Sequence, residues 1–356
     1  MVLSQAKIRE QFKNHPVFTE FHRGVNFGFM AKRGYYSRPD VLEQPKAMAK
    51  CGVNFCTFNV NVCQETYYSR RIFQDYVFSS GDQELADMAK SLNDNGIHPM
   101  LKPCLTSLDG AWMGNVIMPE TCQIAGVSHN YTGEWFASYT DAICHYAEFA
   151  EKNNIAALMV GAENYGVEQW SDEWRKLIAK VRTIFSGPMT YEFTYLSLKN
   201  RRMDWINDLD FISYSYYPPA QTLPLGTPYD QAPVLTLEDM VSFLSPRKEK
   251  IQSIVEQFDG MPIAFTEIGV RSAHGCTSNP CDFMQETYYD GEEQANYMEA
   301  VFQTFSNIPQ WMGLYWWKWD ETQIRPQYHT DPRGDKGFTI QGKPAEKVLL
   351  KHFIAQ

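Results

Sequence analysis

Short apolar runs rich in β-branched and aromatic residues alternate with amphipathic stretches from one end of the chain to the other. Eight runs read as strands: Gly24–Met30, Val53–Val62, Ile97–Cys104, Ile155–Gly161, Met189–Tyr195, Phe211–Tyr217, Pro262–Glu267 and Gly313–Trp319. Between and after them, helical spacing predicts Val41–Cys51, Gln83–Asn95, Trp135–Lys152, Asp172–Phe185, a short Leu196–Asn207, Leu237–Phe258, Glu292–Asn307 and a closing Ala345–Phe353. In the third helix, Trp135, Tyr139, Ile143, Tyr146 and Ala150 recur at three- and four-residue steps and so share one face. Thr132 is the expected N-cap there, and the Asn153-Asn154 pair the terminator. Near the start, Pro39-Asp40 opens a helix and Gly52 ends it, where a glycine takes a left-handed φ cheaply.

Eight strand–helix alternations predict one (β/α)8 barrel, a single unit over residues 1–356. Parallel barrel strands are covered on both faces, which suits Ile155-Ala-Ala-Leu-Met-Val160, apolar without alternation. A doubly wound sheet would carry a Gly-rich phosphate turn after its first strand, and Gly28-Phe-Met-Ala-Lys-Arg-Gly34 lacks that pattern. There is no Ser/Gly-rich linker, internal repeat or low-complexity tract.

Composition narrows the function. Aromatic residues make up 14% of the chain, enough either for a large aromatic core or for rings lining a cleft that stacks on sugars. The formal net charge of -10 repels phosphate backbones and argues against nucleic acid. No apolar run is long enough for a membrane helix, so no membrane partner is expected. The opening Met1–Pro16 has no apolar segment of the signal-peptide kind. The expectation is therefore a cytoplasmic protein, or a secreted one from which a leader has been removed. None of the eight cysteines forms a CxxC pair, so no structural zinc is expected. Cys276 and Cys281 share a polar loop and are candidates to pair under oxidising conditions.

Chemistry in a barrel gathers where strands end. The fourth predicted strand runs into Val160-Gly-Ala-Glu163-Asn164, and the seventh into Phe265-Thr-Glu267-Ile-Gly269. A carboxylate following an apolar run is costly to bury without a partner or a purpose. One such glutamate reads as a rim ion pair. Two, on strands four and seven, read as a pair facing each other across the mouth. Glycoside hydrolysis requires two carboxyl groups flanking the scissile bond. The apolar strand before Glu163 favours a raised pKa, as a general acid needs. Lys102, inside an apolar strand, needs either an inner carboxylate or a ligand. Trp112, in a polar Gly-rich loop, is a candidate stacking platform, with Tyr35 and Tyr36 weaker ones. There is no GxSxG elbow, HExxH or phosphate loop. His145 and Glu148, one turn apart on the outer third helix, read as a surface pair. No metal or cofactor is expected.

Glutamates ending strands four and seven, with tyrosine at the end of strand six and tryptophan at the end of strand eight, resemble the clan A glycoside hydrolases. Within that clan the chain most resembles glycoside hydrolase family 113, whose known members are mainly β-1,4-mannanases. The matching segments are Leu101-Lys-Pro103, Asp109-Gly-Ala-Trp112, Gly161-Ala-Glu163, Tyr216-Tyr-Pro218, Thr266-Glu267-Ile-Gly269-Val-Arg-Ser272 and Gly313-Leu-Tyr-Trp-Trp-Lys-Trp-Asp320. The resemblance implies Glu163 as acid/base and Glu267 as nucleophile in a retaining double displacement. It implies Tyr216 as donor to the nucleophile, with Tyr217 as the fallback, and Trp317 as the floor of the cleaved sugar's subsite, with Trp316 outward and Trp319 inward. The chain departs from the clan in having Ala162 where asparagine often precedes the acid/base, and Cys104 after Leu-Lys-Pro. The 2-hydroxyl reader is thus open, with Asn164 and Asn59 as candidates. The expected activity is an endo-β-1,4-mannanase acting on mannan, glucomannan or manno-oligosaccharides. The alternatives are a β-glucanase, β-xylanase or exo-β-mannosidase, or a catalytically silent barrel that binds polysaccharide.

Overall fold

Strand runs that are apolar on both faces must be covered from both sides, and closing the sheet on itself satisfies all of them at once. The computed structural model describes residues 7–119, 121–200, 203–319 and 332–354. Eight parallel strands form a closed barrel: β1 His22–Phe27, β2 Phe55–Gln64, β3 His98–Ser107, β4 Ala157–Ala162, β5 Met189–Thr194, β6 Ile212–Ser215, β7 Ile263–Ile268 and β8 Trp311–Trp316. Each strand pairs with its sequence neighbours, and β8 returns to β1 with His22 beside Gly313 and Val25 beside Trp316. Among the described residues the longer helices are α1 Gln44–Lys50, α2 Asp82–Asp94, α3 Tyr131–Lys152, α4 Ser171–Arg182, α5 Tyr195–Asn200, α6 Leu237–Leu244, α7 Pro246–Gln257, α8 Gly291–Phe305 and α9 Pro344–Ile354. Single turns form at Pro16–Thr19 and Pro39–Leu42, so the helix expected from Pro39 is interrupted before Gln44. The expected (β/α)8 barrel is what the chain forms.

Local chemistry explains where elements differ from expectation. The helix expected over Leu237–Phe258 is two helices that meet at Ser245, because Pro246 opens the second. The first is started by Thr236, whose hydroxyl accepts from Asp239 N while the Asp239 carboxylate accepts in return. The start of α3 is capped by Asn130, which accepts from Gly133 N at 2.9 Å, and not by Thr132, whose hydroxyl donates to Pro119 O instead. The expected helix Leu196–Asn207 includes residues 201 and 202, which lie outside the described residues; α5 and a 3-10 turn at Asp204–Asp208 flank them. A two-stranded antiparallel hairpin, Cys122–Ile124 with Val127–His129, precedes α3 and was not foreseen.

Alternation along the strands sorts side chains into two cores. Cys56, Phe58, Val60 and Val62 of β2 point outward into the large cluster packed under the helices. Phe55 points inward, with Met100, Phe211, Met312 and Tyr315, and is plugged from below by Phe12, Val17 and Phe18 of the N-terminal segment. Polarity rises up the barrel along the same inward rows. Above the apolar floor, Asn26 Nδ2 donates to Thr266 O at 2.9 Å, and Thr190 Oγ1 meets Ser213 Oγ at 3.0 Å. Higher still the rows end in Lys102, Glu192 and Tyr217. The sealed floor leaves the upper mouth as the open end. No helix among the described residues is long and apolar enough to cross a membrane.

Candidate active site

Two local irregularities deliver the two glutamates to the mouth. On β4, Met159 pairs with Thr190 but Ala162 pairs with Glu192, so β4 carries one extra residue. On β7, Ala264 pairs with Ser213 but Glu267 pairs with Ser215, again one extra. Bulges of this kind re-aim side chains, and here each lies immediately before a glutamate. Glu163 itself takes φ 53°, a left-handed backbone that a non-glycine side chain adopts at a cost. Its N–H is secured by the Glu192 carbonyl at 2.8 Å.

Around Glu163 the donors are few. Trp112 Nε1 donates to Glu163 Oε2 at 3.0 Å, and the Ser215 hydroxyl also lies in hydrogen-bond contact. Burial, and then the nearby Glu267 charge, push the Glu163 carboxyl above its ordinary pKa against the pull of Ser215, Lys102 and Trp112. Glu267 has the opposite surroundings. Lys102 Nζ lies 2.8 Å from its Oε2, and the Tyr217 hydroxyl donates to Oε1 at 2.8 Å. Lys102 is shared with Glu192, a fully buried carboxylate that also accepts from Thr266 Oγ1 at 2.9 Å. Burial opposes the Lys102 charge, but Glu192 and Glu267 hold its pKa well above the usual value. Burial raises Glu192, with Lys102 opposing. One lysine thus pairs with two carboxylates, Glu192 and Glu267, while Glu163 makes no ion pair with it and is pressed toward its neutral form at the mouth. Trp317 completes the wall, with Lys102 Nζ 5.8 Å from its ring centroid and Phe29 edge-on at 4.8 Å.

The sequence profile of Glycoside Hydrolase Family 113 matches residues 25–343. The chain belongs to glycoside hydrolase family 113. Solved structures agree. A family 113 β-1,4-mannanase complex superposes with a TM-score of 0.80 at 25% identity, covering 95% of this chain and 100% of the other. The family 113 β-mannanase of Alicyclobacillus acidocaldarius, in complex with ManMIm, superposes at 0.81 with 25% identity, covering 95% and 99%. A family 5 mannosidase from Rhizomucor miehei, 11% identical, shares the fold at 0.62 over 94% of this chain and 93% of its own. No curated protein sequence gives a match. The chain is accordingly a glycoside hydrolase with a clan A barrel and the retaining chemistry typical of that clan.

Family membership leaves each expected site residue to be placed by geometry. Glu163, Glu267, Lys102, Trp112 and Trp317 come together at the mouth. For Lys102, the inner ion pair is the reading the structure favours. Tyr216 does not reach the nucleophile position: it points outward, stacked on Tyr214 at 4.7 Å and packed on Phe265 and Phe305. Tyr217 takes its place, because Phe211, Ser213, Ser215 and Tyr217 form the inward row of β6. Asn164 is fully buried, donating its side chain to Tyr139 OH at 3.2 Å, and so lies behind the mouth. Tyr36 is buried, its hydroxyl donating to Asn59 O at 2.7 Å, which makes it a strut and not a sugar contact. Trp319 is buried and donates to Gln44 Oε1 at 3.0 Å, though it borders the cleft beside β1. Asn59 is spent on Phe27 O and the Cys104 thiol. Cys276 and Cys281 are both free thiols. Asp320, the end of the last family-like segment, lies outside the described residues. Sequence reading missed Glu192, although a charge inside Met189-Thr-Tyr-Glu-Phe-Thr194 is the same signal that singled out Lys102. It also missed His274, Asp290 and Glu293, which converge in the loop after β7. His274 Nδ1 faces both carboxylates and Nε2 faces Ala232 O; burial works against a charge on the ring, but these partners outweigh it and raise its pKa, and the contacts tie the loop to the start of α8.

Proposed function

We propose that the chain is a retaining β-1,4-mannanase in which Glu163 is the acid/base and Glu267 the nucleophile. The observation that carries the assignment is the asymmetry of the two carboxyl environments. Glu267 is held by charge-assisted contacts from Lys102 on one oxygen and Tyr217 on the other, which orient it toward the mouth. Glu163 sits where burial and a neighbouring negative charge favour the protonated form. A carboxyl group pressed toward its neutral form facing one held by a lysine and a tyrosine assigns Glu163 as acid and Glu267 as nucleophile. In the first step Glu163 donates its proton to the glycosidic oxygen as the Glu267 carboxylate attacks the anomeric carbon, so the leaving sugar departs and a glycosyl ester forms. In the second step Glu163, now ionised, takes a proton from water. The hydroxyl attacks the same carbon, the ester bond breaks, and Glu267 is restored. Two inversions give net retention.

Trp112 hydrogen-bonds the acid from the β3 loop and presents an exposed ring, as a platform for the leaving sugar would. Trp317 lines the opposite wall. The mannan preference rests on the family 113 mannanases that share 25% identity.

The test is hydrolysis of defined manno-oligosaccharides with the anomeric configuration followed by NMR and product lengths recorded. Retention with internal cleavage is expected. Glu267→Ala is expected to lose activity by several orders of magnitude even on activated aryl glycosides, while Glu163→Ala keeps much of its kcat/KM on those substrates, whose leaving groups need no proton, but loses kcat because the second step lacks its base. An inverted first product, or a normal rate for Glu267→Ala, would refute the assignment. Cleavage of glucan or xylan in preference to mannan would refute the substrate reading alone.

A further inference from the structure

The loop that follows β1 and the residues that follow β8 enclose a cleft of about 500 Å³ beside the mouth, within the range of small-ligand pockets. Its described lining contains Lys32, Arg33, Arg38 and Lys318, with Tyr35 and Trp319 beneath them, and no acidic side chain. Two of the cations, Lys32 and Arg33, stand together on the loop after β1 of a chain whose formal net charge is -10. Arg38 is shared with Asp40 at 2.7 Å. Lys32 lies over the Phe78 ring at 4.9 Å, and Arg33 lies over Tyr76 at 5.2 Å with its Nε donating to Tyr76 O at 2.7 Å, contacts that fix where the two cations sit. Asp75 is near enough to feel Arg33, but its carboxylate is engaged chiefly by the N–H groups of Phe78 and Val77.

The loop is held in shape before any ligand arrives. The buried Glu84 carboxylate accepts from Gly34 N, Tyr36 N and Gly81 N, at 2.9, 3.1 and 2.7 Å. Asn61 Nδ2 donates to Ala31 O at 3.0 Å, and Arg33 N to Val77 O at 3.0 Å. Met30 adopts φ 57° and Gly34 φ 85°, turning the loop over the cleft. Charges on a pinned loop bind with less ordering cost than the same charges on a free one.

Position fixes which part of a substrate meets them. Phe29, on the cleft wall, stands edge-on to Trp317 at 4.8 Å, so the cleft adjoins the cleaved sugar's floor. The acid Glu163 and its partner Trp112 lie on the β3–β4 side, where the leaving sugar departs. The cleft lies across the barrel on the β8–β1 side, with the sugars that stay attached to the enzyme.

We propose that this cleft is a subsite for a negatively charged substituent, a carboxylate or an ester-linked sulfate, on the glycan next to the cleaved sugar on its non-reducing side. The natural substrate is then an acidic mannose-containing glycan in place of a plain mannan. This rests on the retaining-hydrolase reading above for the direction of the chain across the mouth.

The test compares kcat/KM for mannotetraose, for its analogue capped at the non-reducing end with a hexuronate, and for an analogue sulfated on that sugar. Each is run on the wild type and on Lys32→Gln/Arg33→Gln, at low and high NaCl. The wild type is expected to prefer at least one acidic substrate. That preference, expressed as the acidic-to-neutral ratio, is expected to fall about threefold to tenfold in the double variant, the range two partly exposed charge contacts supply, and to shrink with salt. Whichever acidic analogue is preferred identifies the group. A ratio of one or less in the wild type, or a preference that survives the double substitution, overturns the proposal. Lys32→Gln alone serves as a second variant should the double one fold poorly. Calorimetric binding of the three oligosaccharides to Glu163→Gln, with and without the charge substitutions, separates the two readings. Tighter binding of acidic probes that depends on Lys32 and Arg33, with no mannoside hydrolysis by the parent enzyme, would sink the mannanase reading and leave the subsite. Hydrolysis without charge selectivity would do the reverse.

Discussion

At the scale of single residues, Glu163 carries two local costs, a left-handed backbone and a carboxyl group pressed toward neutrality. Residues in this condition persist where surrounding structure over-determines them, and function is the usual reason. The raised pKa has a stability consequence with a definite sign. Between the ordinary carboxyl pKa and the higher one of the folded state, the native protein binds more protons than the unfolded chain, so stability falls as pH rises through that window. Glu163→Gln removes the charge and keeps the shape. It should raise stability at pH 7 by about 0.5–2 kcal/mol, and the gain should vanish below the ordinary carboxyl range; denaturant midpoints at pH 3.5 and pH 7 check it. Lys102 is the converse case. Lys102→Met leaves Glu192 and Glu267 without their shared cation, a loss of about 3–5 kcal/mol where a buried pair is broken. Both carboxyl groups can neutralise by taking up protons, so the loss should be smaller at pH 5 than at pH 8. Equal losses at both would show that Lys102 acts by packing alone.

At the scale of elements, the loop after β3 and the loop after β4 are fitted to each other. A Cβ at Gly166 would meet Val116 O at 1.8 Å, and a Cβ at Gly114 would meet the Trp112 ring at 2.3 Å. Gly114 therefore lets the indole lie flat on the turn that aims its N–H at Glu163. Gly114→Ala should lift the ring, weaken that hydrogen bond and lower kcat/KM about ten- to hundredfold, the scale of a 1 Å misplacement. Because the Trp112 N–H favours the ionised form of Glu163, the alkaline limb of the pH–rate profile should move upward in the variant. A lower rate with an unmoved limb would mean that only sugar stacking was lost. Much of this architecture was legible in the chain. The eight strands were found because parallel strands buried on both faces leave continuous apolar runs. Between Tyr216 and Tyr217 the sequence does not choose, because adjacent tyrosines face opposite sides and the register of an apolar strand is not fixed by its sequence. The family resemblance prefers Tyr216; the structure turns Tyr217 inward with Ser213 and Ser215. The bulges on β4 and β7 were not readable, because one extra apolar residue in an apolar run changes no pattern. The hairpin Cys122–His129 was missed for a related reason: its exposed residues have no face to bury.

At the scale of the whole molecule, a barrel has one seam, where the last strand returns to the first, and α9 lies close to it. A Cβ on Gly52, just before β2, would sit 2.7 Å from Phe353 O, so the closing helix is pressed against the entry to the second strand. It is tied to α8 through Glu299, which accepts from Lys351 Nζ at 2.9 Å, His352 Nε2 at 2.8 Å and Gln303 Nε2 at 2.8 Å. The His352 ring stacks on Phe302 with centroids 4.0 Å apart. Burial works against the Glu299 charge, but those three partners outweigh it and hold the carboxyl at about 2, below its ordinary 4.5. A depressed carboxyl pKa contributes stability that is complete above the unfolded value and is lost as pH falls through the folded one. Glu299→Gln should therefore lower stability at pH 7 by about 1–3 kcal/mol, as expected for hydrogen bonds to a charged group. The difference from the parent should shrink between pH 4.5 and about pH 2. Denaturant titrations across that range measure it directly. Were the variant as stable as the parent at pH 7, α9 would be held by Leu349 and Phe353 packing alone, and the ion cluster would have no part in closing the barrel.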